Sequence, residues 1–130
     1  MLNHPALLRF SLIIDAVASG ATALLLMAGA GLLESWLGLP VALMQYAGLI
    51  LVPYVTFVAF IGTRSEIARP AVWLIIAANA AWTVASIGLL VSGLVAPTML
   101  GYAFVIAQAV AVGFFGELQY MALRRSPVTA

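Results

Sequence analysis

The residue best suited to chemistry is Asp15, a carboxylate inside the first long apolar segment of the chain. Ser11, Ser19 and Thr22 lie four residues before it, four after it and seven after it, so a helix places all four on one face. A carboxylate in an apolar medium needs a partner, water or a proton. Two interpretations stay open: a proton- or cation-responsive or substrate-facing group, or a structural group hydrogen-bonded to a neighbouring helix or reaching the interface.

A second polar face surrounds Asn79 in the third apolar segment. The residues that follow it at helical spacing are Trp82, Thr83 and Ser86. An amide inside a membrane commonly joins two helices through hydrogen bonds worth about 0.6 kcal/mol each, and we favour this role over ligand binding. Asp15 and Asn79 lie at comparable depths in their segments, so we predict a direct contact between them.

Two more polar residues, Gln108 and Glu117, lie in the fourth apolar segment. Nine residues separate them, which places them on opposite faces of a helix. Glu117 precedes Arg124 by two turns, about 10 Å, and we expect its carboxylate to reach toward that arginine. One of the two polar residues therefore faces a second contact, either another protomer or the headgroup region.

The chain lacks the side chains that most catalytic and metal sites need. It has no cysteine and no lysine, and its single histidine is His4. Thiol chemistry and disulfides are therefore excluded, and zinc or haem ligation lacks ligands. Nucleophile–histidine catalysis needs a histidine deep in the fold. We expect a protein that is not an enzyme and that carries neither metal nor cofactor.

The elements that position these residues follow from composition. The chain has 130 residues, 65% of them hydrophobic and 7% charged, against about one quarter charged in soluble domains. Four segments, 7–33, 39–62, 71–94 and 97–123, exceed the roughly 20 residues that cross a bilayer. Without water each must be helical. We predict an all-α integral membrane bundle of four transmembrane helices, forming a single domain over residues 1–130.

The arginines give the orientation of this bundle. All of them fall on one side of the predicted arrangement: Arg9, Arg64, Arg69, Arg124 and Arg125. The positive-inside rule then predicts cytoplasmic N- and C-termini in a multi-pass protein. The net charge of +1 and the absence of a basic run exclude nucleic acid as a partner. Membrane lipids and other membrane proteins remain as partners.

Small residues recur at four-residue spacing in two of the predicted helices. The two rows are Ala77, Ala81 and Ala85 in the third segment, and Ala103, Ala107 and Ala111 in the fourth. Such rows allow helices to approach closely in lipid. We therefore predict a homo-oligomer or an association with another membrane protein.

The first and third segments also align with each other. With Asp15 placed on Asn79, Ser19 meets Thr83 and Thr22 meets Ser86. Two helices per repeat would relate the two halves by an axis along the membrane normal. Chance similarity between apolar helices is the alternative.

In length and span number the chain resembles the small four-span proteins of the bacterial inner membrane, which implies that location. With its first-span carboxylate, Asp15, it is also similar to the small multidrug resistance transporters. That second resemblance implies a dimer that exchanges protons for cationic substrates, and Asp15 is the residue that carries over.

These observations predict a non-enzymatic polytopic inner-membrane protein that self-associates or serves as an accessory subunit of a membrane complex. One alternative is a small proton-coupled transporter that uses Asp15. Another is a lipid- or quinone-binding module built on the face of Asn79 and Trp82.

The predicted orientation is tested by labelling single cysteines. A cysteine at Ser35 should react from outside the cell and one at Ser126 only after the membrane is opened, because an odd number of spans separates them. Labelling of both from the same side would refute the four-span arrangement.

Overall fold

The computed structural model describes residues 3–125, with the side chains of residues 6–124. Its helices are α1 (Asn3–Ala28), α2 (Ala30–Leu37), α3 (Val41–Thr63), α4 (Arg69–Ser92) and α5 (Met99–Arg125). No strand occurs in this part of the chain. By length and composition, α1, α3, α4 and α5 can each cross a membrane. The predicted all-α bundle of four transmembrane helices is confirmed.

The first apolar segment does not continue as one helix to residue 33. The helix breaks at Gly29, whose amide donates to the carbonyl oxygen of Leu25 at 2.8 Å. A Cβ atom at Gly29 would lie only 2.8 Å from that same oxygen. Glycine therefore allows a bend here, and α2 turns so that Ala30, Leu33 and Leu37 become buried.

One end of the bundle, which we call the arginine end, contains the link between α3 and α4. Arg9 donates from Nη1 to the carbonyl oxygens of Gly62, at 2.7 Å, and Arg64, at 2.6 Å. These carbonyls belong to the last turn of α3 and to the residue that caps it, where a helix has unpaired acceptors and the negative end of its dipole. Arg9 thereby ties α1 to the end of α3.

At the opposite end, α2 is joined to the start of α5. Thr98 donates from its amide to the carbonyl oxygen of Leu37, at 2.9 Å, and from Oγ1 to that of Trp36, at 2.6 Å. Gly38 ends α2 in the left-handed conformation, with φ 70°. A Cβ atom at Gly101 would collide with the carbonyl of Leu37, so glycine is needed for this approach.

The four spans do not pack evenly. α1 packs along α3, α4 along α5, and α1 against α5, whereas α3 and α4 scarcely touch. The core at the arginine end includes Val58 of α3 and Val72 and Ile75 of α4. The core at the opposite end has no buried residue from α4. α4 is therefore anchored in its first half and separates from α3 in its second half.

Candidate functional site

Asp15 is fully buried at the point where the four spans meet. Each of the other spans contributes one polar side chain to it, and α1 contributes a second. We call this group the Asp15 cluster: Asp15, Ser19, Tyr54, Asn79 and Gln119. The cluster links all four membrane-spanning helices through side-chain hydrogen bonds.

The carboxylate of Asp15 accepts hydrogen bonds on both oxygens. Tyr54 Oη donates to Oδ2 at 2.7 Å, Gln119 Nε2 at 2.8 Å and Asn79 Nδ2 at 3.2 Å. Ser19 Oγ donates to Oδ1 at 2.9 Å. Buried charge is costly unless it is hydrogen-bonded, and these four donors supply that compensation.

Tyr54 lies between two acceptors but has a single hydrogen to donate. Its Oη is 2.7 Å from Asp15 Oδ2 and 2.8 Å from Asn79 Oδ1. Both hydrogens of the Asn79 amide are already used, one on Asp15 and one on Gln119 Oε1 at 2.9 Å. When Asp15 is ionised, one of the two short oxygen–oxygen contacts of Tyr54 therefore has no hydrogen between its atoms.

A small residue on α5 allows α4 to come close to this cluster. Gly116 is buried one turn before Gln119, and a Cβ atom there would lie 3.3 Å from Asn79 Cβ. A larger side chain would push the two helices apart. Gly116 thus sets the distance across which Asn79 and Gln119 bond.

A cavity of about 610 Å³ lies beside the Asp15 cluster, near the middle of each span. Its walls come from residues 18–22 of α1, 50–54 of α3, 78–85 of α4 and 108–115 of α5. We call it the central cavity. Ile50, Ala81 and Ala85 on its rim are exposed. Because α3 and α4 separate at this level, the cavity opens sideways between them.

Most of the cavity wall is apolar, and several of its residues are alanines. The polar side chains on the wall are Ser19, Thr22, Tyr54, Asn79, Trp82 and Gln108. A volume of this size falls within the range of roughly 300–1,000 Å³ that small-molecule sites occupy. An apolar wall with a few well-placed polar groups is also typical of such sites.

A second group of polar side chains, Trp82, Ser86 and Gln108, joins α4 to α5; we call it the Gln108 cluster. Trp82 Nε1 donates to Gln108 Oε1 at 2.7 Å, and Gln108 Nε2 donates to Ser86 Oγ at 3.0 Å. Gln108 Nε2 also donates to the carbonyl oxygen of Val105 at 2.8 Å. The indole of Trp82 is thereby fixed against the wall of the central cavity.

Several of the residues that the sequence singled out come together here. The predicted Asp15–Asn79 contact is present, and Ser19 joins it. Thr22 lines the cavity one turn further along α1. Thr83 instead donates to the carbonyl oxygen of Asn79 at 2.9 Å, so it serves the backbone of α4.

Glu117 lies apart from the site, on the exposed face of α5. Its expected approach to Arg124 does not occur. The guanidinium of Arg124 lies over the ring of Tyr120 instead, 5.7 Å from the centroid. Gln108 bonds within the chain, whereas Glu117 is exposed.

The sequence reasoning missed the roles of Tyr54 and Gln119. In the sequence, Tyr54 is one of several aromatic residues of the second span, and Gln119 lies five residues before Arg124. A usable signal was present on α5: Val105, Ala109 and Gly116 precede Gln119 on one buried face. A polar residue that continues a buried row of small side chains points into the bundle.

The chemistry available to this site is hydrogen bonding and charge. Among the described residues, no three His, Cys, Asp or Glu side chains are grouped so that they could hold a metal ion. No protein-family model, curated protein or solved structure matches this chain.

Replacing Asp15 tests whether the cluster holds the four helices together. In Asp15→Asn, the amide oxygen can accept from Asn79 and Gln119, its nitrogen can donate to Ser19 Oγ, and Tyr54 can turn to Asn79 Oδ1. We expect thermal stability in detergent to be nearly unchanged. Asp15→Leu leaves these buried donors without an acceptor and should lower the free energy of unfolding by about 1–3 kcal/mol. Equal stability of the two variants would contradict a structural role for the cluster.

Proposed function

We propose that this protein is a non-enzymatic membrane protein that binds an apolar small molecule from the bilayer in the central cavity. The observation that carries this proposal is the position of the cavity: it lies at the middle of the spans and opens between α3 and α4. A molecule dissolved in the hydrocarbon region can enter there without crossing the protein surface that faces water. The proposal develops the lipid- or quinone-binding alternative that the face of Asn79 and Trp82 suggested.

The fixed geometry around the cavity supports binding over simple packing. Trp82 is held by Gln108, and Tyr54 and Asn79 are held by Asp15. Polar groups that are already positioned lose little conformational entropy when a ligand arrives. The alanines on the wall keep the space open, because any larger side chain there would fill it.

The proposal includes the orientation of the protein and its location in the bacterial inner membrane. With the arginine end in the cytoplasm of a bacterial cell, the termini are cytoplasmic, and α2 lies on the outer side. Labelling at Ser35 and Ser126, as above, decides this.

The proposal also includes association with a second copy of this chain or with another membrane protein. Ala103 and Ala107 on α5 and Ala77 on α4 are exposed and lie outside the cavity, so they are free for a second copy or another membrane protein. Ala107→Ile should lower dimerisation measured in bilayers if this face is used. Unchanged dimerisation would assign the contact to another face, and a strictly monomeric protein would refute self-association.

A second candidate function is a small proton-coupled transporter that uses Asp15. The observation that favours it is the missing hydrogen in the Asp15 cluster. A proton on the carboxyl group of Asp15 could bond to Tyr54 Oη, and Tyr54 could then donate its own hydrogen to Asn79 Oδ1. Asp15→Asn should then abolish pH-dependent flux in proteoliposomes while the protein stays folded. Unchanged flux in Asp15→Asn and Asp15→Leu would eliminate this function.

Binding in the central cavity is tested with 2-bromonaphthalene, an apolar probe whose bromine quenches tryptophan fluorescence on contact. In a Trp36→Phe/Trp73→Phe protein in liposomes, Trp82 is the remaining tryptophan and reports on the cavity wall. We expect saturable quenching. Ala81→Leu should weaken it about tenfold, a loss of roughly 1.4 kcal/mol, because the added side chain occupies the cavity.

Ala80→Leu is the matched control, since Ala80 is exposed on the same helix but does not line the cavity. It should leave the quenching curve unchanged. Non-saturable quenching, equal to that of a tryptophan peptide in the same liposomes, would refute the binding function.

A further inference from the structure

We propose that the ligand of the central cavity carries a hydrogen-bond donor, a hydroxyl or an ammonium group, on its apolar body. This inference rests on the proposed binding function and specifies its ligand class. It follows from the direction of the hydrogen bonds around the cavity, which use up the donors of the wall and leave acceptors open.

The hydroxyl and indole hydrogens on the cavity wall all point back into the protein. Ser19 donates to Asp15 at 2.9 Å, Thr22 donates to the carbonyl oxygen of Ala18 at 2.8 Å, and Tyr54 donates within the Asp15 cluster. Trp82 Nε1 donates to Gln108 at 2.7 Å. None of these hydrogens is available to a ligand without breaking an existing bond.

The amide hydrogens on the wall are used in the same way. Asn79 gives one to Asp15 Oδ2 and the other to Gln119 Oε1. Gln108 donates through Nε2 to Ser86 Oγ and to the carbonyl oxygen of Val105. Each side-chain amide has two hydrogens, so all the amide hydrogens of both residues are already engaged in hydrogen bonds.

The oxygens on the wall are in the opposite situation. Within the described part of the chain, no hydrogen bond is donated to Ser19 Oγ, Thr22 Oγ1 or Tyr54 Oη. A hydroxyl oxygen has two lone pairs, so each of these three can accept a hydrogen bond. The cavity therefore offers lone pairs to a ligand and withholds hydrogens from it.

The charge behind the wall strengthens this preference. Ser19 and Tyr54 donate to Asp15, and a donor to a carboxylate is polarised so that its own oxygen accepts more strongly. At the arginine end, Arg9 is bound to the carbonyls of Gly62 and Arg64, and no hydrogen bond among the described residues joins it to Asp15. When Asp15 is ionised, its negative charge favours a donor, and an ammonium most of all, in the cavity beside it.

The same arrangement disfavours ligands that only accept hydrogen bonds. A ketone, an ether or the carbonyl group of an oxidised quinone would bury its oxygen beside other oxygens, with no hydrogen between them. Leaving a polar atom unpaired in an apolar site costs binding energy. The quinone alternative is thereby narrowed to a reduced, hydroxyl-bearing form.

The test compares two probes of nearly equal size, 6-bromo-2-naphthol and 2-bromo-6-methoxynaphthalene. The first donates a hydrogen bond and the second only accepts one. Quenching of Trp82 is measured in the Trp36→Phe/Trp73→Phe protein, and each affinity is corrected for the probe's partition into protein-free liposomes. We expect the naphthol to bind about tenfold more tightly, the effect of one hydrogen bond to a site that lacks donors.

Removing two of the three acceptors should reduce the preference. In Ser19→Ala/Thr22→Val, the affinity of the naphthol should fall severalfold relative to that of the methoxy compound. Thr56→Val is the matched control: Thr56 is exposed and does not line the central cavity, so the ratio should not change.

A third probe, 6-bromo-2-naphthylmethylammonium, separates the two kinds of donor. Tighter binding than that of the naphthol assigns the site to cations, and weaker binding assigns it to neutral hydroxyls. Equal affinity of the naphthol and the methoxy compound, or a preference for the latter, would overturn the inference and leave the binding function intact. If 2-bromonaphthalene also fails to give saturable quenching, the binding function itself is wrong.

Discussion

The hydrogen bonding of one buried carboxylate is the constraint on which the rest of this bundle depends. In a bilayer no water is available to solvate Asp15, so its partners must come from the protein. Tyr54, Asn79 and Gln119 supply them, one from each of the other spans. Apolar contacts alone give little direction to helices surrounded by lipid. The carboxylate gives them a common point and fixes their rotation about their own axes.

The central cavity is a consequence of where this constraint acts. The cluster and the core at the arginine end hold α4 by its first half, with Val72, Ile75 and Asn79 buried. Beyond that level nothing comparable draws α4 toward α3, and the alanines that α1, α4 and α5 place on the cavity wall leave the space unfilled. Polar anchoring on one side and small residues on the other thus produce a cavity whose wall is mostly apolar and carries a few polar groups.

Both ends of the bundle use backbone carbonyls in the same way, with different donors. At the arginine end, Arg9 neutralises the last turn of α3. At the opposite end, Thr98 donates to the last turn of α2, so an uncharged side chain makes the contact there. The grouping of arginines from which the orientation is predicted is therefore also part of how the helices are joined.

The sequence by itself determined the helical class, the grouping of the arginines and the meeting of Asp15 with Asn79. Apolar length, charge position and depth along a helix depend only on the order of residues. The break at Gly29, the participation of Tyr54 and Gln119 and the separation of α3 from α4 were decided by tertiary structure. Each depends on how far the helices rotate and tilt against one another, and residues distant in the chain set those angles together. Tertiary structure also decides which polar atoms on the cavity wall keep a free lone pair, because the donors there are used in hydrogen bonds within and between the helices.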